Sequence, residues 1–216
     1  MAELIADPFR AARLILSLRQ SGITHPGVLK AMESIDRASF APGDLSDLAF
    51  EDVHLPLPAG QTIAPPLVTA QILAAADFGD RPHGRALLIG AGSGFSSALL
   101  SGLVEEVVAA ERSAKLAHMA SAGLSDLGVL NVRVLHADGL SGCLAHGPYS
   151  HILAMGGLAK IPEPLFKSLA SGGVIVAPVG TFESLELQVW RQDECVSRAP
   201  LLTSLLPLRD GLSKAL

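Results

Sequence analysis

The chain has 216 residues, 49% of them hydrophobic and 17% charged, with a formal net charge of −5 at pH 7. A composition this apolar excludes disorder, because enough surface can be buried to offset the entropy of ordering. A net acidic chain without clustered Lys and Arg also lacks the electrostatic footprint of a general nucleic-acid binder.

No run reaches the roughly 18 uninterrupted apolar residues of a membrane span. The start "MAELIADPFRAARLIL" carries Glu3 and Asp7 and no signal-peptide cleavage pattern, so a cytoplasmic location is expected. Cys143 and Cys195 lie far apart without a Cys-x-x-Cys spacing, which reads as two incidental thiols and no metal site. The histidines are dispersed; His54, His136 and His151 are the ones placed to approach a site, although a lone histidine is more often structural.

In chain order, "DPFRAARLILSLRQSG" has an Asp-Pro start, helical apolar spacing and Gly22 as a stop. "THPGVLKAMESI" reads as a second helix. Residues 36–66 are rich in Pro, Gly and Asp and have no sustained period, so a long ordered loop is expected. Phe40, Leu48, Phe50, Leu55 and Leu57 are its expected anchors on the body. "LVTAQILAAADF" is a third helix.

From Arg85 the pattern alternates. Apolar strands are expected at "ALLIG", "EVVAAE", "VRVLHAD", "SHILAMG" and "GVIVAPVG", with helices at "SGFSSALLSGL", "RSAKLAHMASAGLSDLG" and "PEPLFKSLAS". Near-continuous apolar strands alternating with helices indicate a parallel sheet covered on both faces. "SLELQVWRQD" and "VSRAPLLTSLLPL" read as an antiparallel edge pair. The expectation is one α/β domain over 1–216, with a helical and loop cover at 1–80 and a doubly wound, mostly parallel sheet at 81–216.

Gly90, Gly92 and Gly94 fall at the first crossover, beyond a strand's carboxyl end, where such sheets bind ligands. Glycine permits a tight turn and close ligand approach, and the helix starting near Ser93 offers unpaired N–H groups. The spacing is G-x-G-x-G; Phe95 holds the place of a dinucleotide fingerprint's third glycine, which favours a nucleoside-linked methyl donor instead. Glu111 ends the second strand roughly twenty residues on, where a carboxylate can accept both ribose hydroxyls, with Arg112 beside it. Asp138 and Gly139 end the third strand, where side chain or backbone can meet an adenine edge. The alternative is that both acids only cap the turns that follow them.

Further segments carry a more specific signal. They are "ARLILSLRQSGITHPGVLKAMESIDRASFAP" with its Arg-x-x-Phe ending, "AFEDVHLPLPAGQTIAPPLVTAQIL" with its Gly-Gln-Thr-Ile block, "LLIGAGSGFSSALL", "AAERSAKLA", "LHADGLSG", "GPYSHILAMGGLAKIPEPLFKSLASGGVIVAPVG" and "LLPL". On these residues, in this order, nearly the whole chain resembles the protein-L-isoaspartate (D-aspartate) O-methyltransferase family. Its members methylate the misplaced carboxylate of isoaspartyl residues in damaged proteins, using S-adenosylmethionine. The resemblance implies a Rossmann-like class I methyltransferase fold, an isoaspartyl protein or peptide substrate, and no nucleic-acid or membrane partner. Gly90, Gly92, Ser93, Gly94, Glu111, Arg112, Asp138 and Gly139 would hold the donor; Thr62, Ile63 and Ala64 would shape the acceptor pocket.

Three positions depart from the family pattern. Ala64 replaces the serine usual after Thr-Ile, Leu88 replaces an acid two residues before the first glycine, and Ser150 replaces Asp in Pro-Tyr/Phe-Asp. Each is expected to remove a polar group near the site and so to weaken or alter the activity. A carboxylate acceptor is already ionised at neutral pH and needs no general base. Losing the hydroxyl at Ala64 would therefore cost about 1–3 kcal/mol, if it leaves an acceptor unpaired. A different acceptor, or a binding protein of the same fold without turnover, stays open as an alternative, and the sequence gives no sign of oligomeric state.

Overall fold

The computed structural model describes residues 9–79, 83–141 and 143–213. Glu3, Asp7 and the Asp-Pro helix start therefore lie outside the described residues.

Helix α1 runs Arg10–Gln20 and stops at Gly22, whose φ of 91° only glycine adopts readily. Helix α2, Pro26–Ser34, starts with proline in its first turn, and the His25 ring accepts the Val28 N–H as its cap. Residues 36–66 are ordered, and they hold more structure than an aperiodic sequence discloses. Two 3-10 turns, Arg37–Phe40 and Gly43–Leu48, precede strands β1 (Leu55–Leu57) and β2 (Gln61–Ile63), which form an antiparallel hairpin. Phe40, Leu55 and Leu57 are buried anchors, whereas Leu48 is 43% exposed and its neighbour Ala49 is buried in its place. Helix α3, Pro66–Ala75, is apolar on nearly all sides and packs into the core.

The alternating part follows: β3 (Arg85–Ile89), α4 (Phe95–Ser101), β4 (Glu106–Glu111), α5 (Ala114–Asp126), β5 (Val132–His136), β6 (Tyr149–Ala154), α6 (Glu163–Lys167), β7 (Leu169–Thr181), β8 (Ser184–Arg191) and β9 (Glu194–Leu201). The seven-stranded sheet has the order β5-β4-β3-β6-β7-β8-β9. Neighbours from β5 to β7 are parallel, and β8 and β9 add antiparallel strands at one edge. Ala86 and Leu88 join one apolar layer, Leu87 and Ile89 the other. A strand buried on both faces accommodates only apolar side chains, which is why the run before Gly90 carries no charge. Arg85, at its amino end, reaches Glu106 at 2.7 Å.

Several boundaries differ from the sequence reading, and two of them redirect the chain. Helix α6 ends at Lys167, four residues short of Ser171, because the Ser168 N–H and hydroxyl both return to the Leu165 carbonyl. The Ser168 carbonyl then accepts the Tyr149 N–H, which draws the chain into the sheet. The last strand stops at Leu201, and residues 202–208 do not continue the edge pair. They cross to the carboxyl end of β6, where Leu206 and Leu208 bond with Gly157.

At the opposite end of the sheet, His151 is 5% exposed, with the Phe78 ring 4.7 Å and the His83 ring 5.6 Å from its own. Burial, then the nearby His83 and Arg191 charges, pushes its pKa down to about 4, against a weaker upward pull from Asp77. Folded His151 stays neutral while the unfolded chain takes up a proton near pH 6.5. Stability is therefore full above pH 6.5 and is lost as pH falls from 6.5 through about 4. The loss amounts to about 3 kcal/mol. Unfolding titrations should show this slope in the unaltered chain and a flatter one in His151→Phe; equal slopes would contradict it.

Among the described residues, no helix is long and apolar enough to cross a membrane. Cys143 and Cys195 form no disulfide.

Candidate active site

The turn after β3 has positive φ at Gly90 (88°), Gly92 (56°) and Gly94 (97°). The N–H groups of Gly90 and Ala91 both bond to the Ala110 carbonyl, which seats the turn on the end of β4. Glu111, 6% exposed, completes the attachment. Its Oε2 accepts the Gly92 N–H and its Oε1 the Ser113 N–H, each at 2.9 Å. Ser113 in turn caps α5 by accepting the Leu116 N–H. Glu111 thus caps the following turn and also fixes the glycine turn. A carboxylate oxygen holding one N–H keeps a lone pair for another donor.

The glycines differ in what they make room for. A Cβ on Gly94 would lie 3.1 Å from the Ala120 backbone, and one on Gly139 would lie 2.7 Å from Ile89. Those two glycines allow packing against α5 and the sheet. A Cβ on Gly92 would lie 3.6 Å from Leu57, so the β1–β2 hairpin stands over the turn.

Two adjoining cavities open at the carboxyl end of the sheet. The larger, about 380 Å³, is walled by Gly90, Ala110, Glu111, Arg112, Asp138, Gly139 and parts of the segment 206–213. Its size suits a small-molecule ligand. The smaller, about 60 Å³, lies between Thr62 and Ala64 on one side and Gly90, Gly92 and Met155 on another. Gln61, Gly90, Glu111, Leu206, Pro207 and Leu208 border both. The expected site residues therefore come together except Ile63, Ser93 and Gly94, which line neither cavity. Ile63 alternates with its neighbours along β2 and points into the core, which leaves Thr62 and Ala64 on the cavity side.

The acid after β5 is engaged at both oxygens. Asp138 accepts from the Leu140 N–H (2.9 Å), the Ser141 hydroxyl (2.9 Å) and the Gly211 N–H (2.7 Å). Burial alone would raise its pKa, but these bonds and the charge of Arg112 outweigh it and hold the carboxyl below its ordinary range. The Arg112 guanidinium donates to the Gly211 and Asp210 carbonyls, and its own carbonyl accepts the Ser213 N–H. Arg112 and Asp138 together clasp the C-terminal segment over the larger cavity.

The departures fall unevenly. Ala64 is on the smaller cavity's wall. Leu88 is fully buried between Ala109 and Leu153 and borders neither cavity. Ser150 sits at the amino end of β6 with its hydroxyl donating to the Arg85 carbonyl, far from the glycine turn. The expectation that all three changes strip polarity from the site is thus corrected: it holds by position for Ala64 alone, because strand register puts Ser150 at the sheet's other end.

The partners of several residues escaped the sequence. Arg37, 2% exposed, donates to the carbonyls of Ala49, Glu51, Val53 and Ala64, tying the cover loop to the wall of the smaller cavity. Burial pushes its pKa down to about 10, against an upward pull from Asp52. The signal for it was the Arg-x-x-Phe segment, which gives no hint of its partners. His54 Nδ1 stands 3.2 Å from Thr62 Oγ1, while His136 bonds the Arg112 carbonyl. Residues 205–208, read as the end of a strand, are a cavity wall that Arg209 and Ser213 continue.

A mostly parallel sheet with its glycine turn after an interior strand, an acid closing the neighbouring strand, and a cavity between them is a Rossmann-like, doubly wound arrangement, and solved structures identify it as the class I methyltransferase fold. A solved protein-L-isoaspartate O-methyltransferase superposes with a TM-score of 0.79 at 23% identity, over 94% of this chain and 67% of that one. A Plasmodium falciparum structure described as a beta-aspartate methyltransferase in complex with S-adenosyl-L-homocysteine gives 0.75 at 18%, over 91% and 97%. The profile of the protein-L-isoaspartate(D-aspartate) O-methyltransferase family matches residues 10–210, and the chain belongs to that family. It is 36% identical to protein-L-isoaspartate O-methyltransferase 2 of Rhodopseudomonas palustris (strain HaA2), over the full length of both. It is 40% identical to protein-L-isoaspartate O-methyltransferase of Dechloromonas aromatica (strain RCB), over 80% of each.

Proposed function

We propose that the chain transfers a methyl group from S-adenosylmethionine to the carboxylate of isoaspartyl residues in proteins or peptides, acting in the cytoplasm in protein repair. The observation that carries this reading is Glu111: a buried carboxylate, each oxygen pinned by one backbone N–H, on the wall shared by the two cavities. Its remaining lone pairs suit the two ribose hydroxyls of an adenosyl group. Gly90 and Gly92 offer bare backbone beside it, and Gly139, Ala110 and Ala137 wall the larger cavity with small residues that leave room for a base. Asp138 and Arg112 serve this site by holding the closing segment in place. We further propose that residues 1–216 act as one domain, 1–80 covering a donor-binding core at 81–216.

The donor supplies an electrophilic methyl group on a sulfonium. The acceptor carboxylate is ionised at neutral pH, so the chain need not remove a proton. Its tasks are alignment and exclusion of water, which the hairpin and residues 205–208 perform from two sides of the smaller cavity. Thr62 and Ala64 face the position where an acceptor would enter.

The test is transfer of labelled methyl from S-adenosylmethionine to an isoaspartyl peptide and to its aspartyl counterpart, with donor binding followed separately by calorimetry. Methylation of the isoaspartyl peptide alone is expected. Donor binding with transfer to neither peptide would remove the acceptor assignment and leave the fold as a donor binder.

A further inference from the structure

His54 has no part in the function described above. It immediately precedes β1, is half-buried, and holds its Nδ1 3.2 Å from the Thr62 hydroxyl across the hairpin. Thr62 lines the smaller cavity, and it supplies the one side-chain hydroxyl among that cavity's described lining residues. Ala64, on the same face two residues later, has none to give.

A hydroxyl has one proton and two lone pairs. Were that proton spent on the His54 ring, Thr62 would turn only lone pairs toward an acceptor carboxylate, and the two would repel. With the proton on His54 Nδ1, the ring donates to Thr62 Oγ1 and the threonine proton is free to point into the cavity. Glu111, also on that wall, is an acid already occupied by two backbone amides and cannot donate when ionised.

Resting on the acceptor reading above, we propose that His54 is a positioning residue. Its Nδ1–H holds the Thr62 oxygen, so that the Thr62 hydroxyl donates to the substrate carboxylate and does the work of the hydroxyl that Ala64 lacks. His54 need not touch the substrate.

The experiment measures kcat and KM for an isoaspartyl peptide in His54→Ala, His54→Asn, Thr62→Val and the double variant, with donor affinity and melting temperature alongside. His54→Ala should raise KM roughly tenfold, the effect of one misdirected hydrogen bond. Donor affinity should stay within twofold. Asparagine places an amide N–H near the Nδ1 position and should recover most of the loss. In the Thr62→Val background, His54→Ala should add nothing, because the group it aims is gone. A His54→Ala enzyme with unchanged KM, or effects of the two changes that multiply, would overturn the proposal. An unaltered chain that methylates no isoaspartyl peptide overturns the acceptor reading and this proposal with it. Transfer indifferent to His54 overturns only the latter.

Discussion

Glu111→Ala is expected to bind S-adenosylmethionine two to three powers of ten more weakly than the unaltered chain. Two effects combine. Under the proposed function the ribose loses an ionised acceptor, and hydrogen bonds to charged groups contribute about 1.5–3 kcal/mol each. The Gly92 and Ser113 N–H groups also lose their partner, so the glycine turn is no longer fixed to the start of α5. A total of about 3–4 kcal/mol corresponds to that range of affinity. Glu111→Gln keeps the shape but can present an amide N–H toward one of two backbone donors, and it should fall between. Calorimetric titration reads both variants. A change under threefold in Glu111→Ala, with the fold intact by circular dichroism, would mean that this carboxylate does not face the donor.

The largest stability effect is expected at Arg37. Arg37→Met should cost about 3–5 kcal/mol, the usual consequence of removing one side of a buried charged network. Four carbonyls, at Ala49, Glu51, Val53 and Ala64, lose their donor at once, two of them to each terminal nitrogen. The arginine's own burial cost, visible in a pKa pushed down to about 10, is recovered and keeps the loss from being larger. For a chain of this size the melting temperature should fall by roughly 10 °C. Arg37→Lys should lose most of the same stability, since one ammonium cannot span four carbonyls. Urea unfolding provides the check, and a loss below 1 kcal/mol would show that the cover loop holds itself.

The central sheet was legible because its physics is local. The run "EVVAAE" is β4 without a residue of error, since burial on both faces writes an unbroken apolar run. The glycine turn and Glu111 were legible for the same reason: their place follows from where an apolar run ends. Leu88, Ser150 and Ala64 look equivalent as departures, yet Ser150 opens the strand "SHILAMG" and so lies at the amino end of β6, away from the glycine turn. The β1–β2 hairpin was invisible because two three-residue strands, one containing Pro56, have no room to show a period. Arg37 and His54 act on partners separated from them in sequence, and no spacing rule joins Arg37 to Ala64. The run 202–208 was read as continuing the edge strand, but its partner is Gly157, beyond the end of β6, met in a single parallel bridge.

Leu206, Pro207 and Leu208 border both cavities, on a ribbon latched through Arg112 and Asp138. Under the proposed function, reagent and target are thereby read by one shared strip of chain. An alteration there cannot retune one affinity in isolation, and loosening the latch slackens the grip on both molecules together.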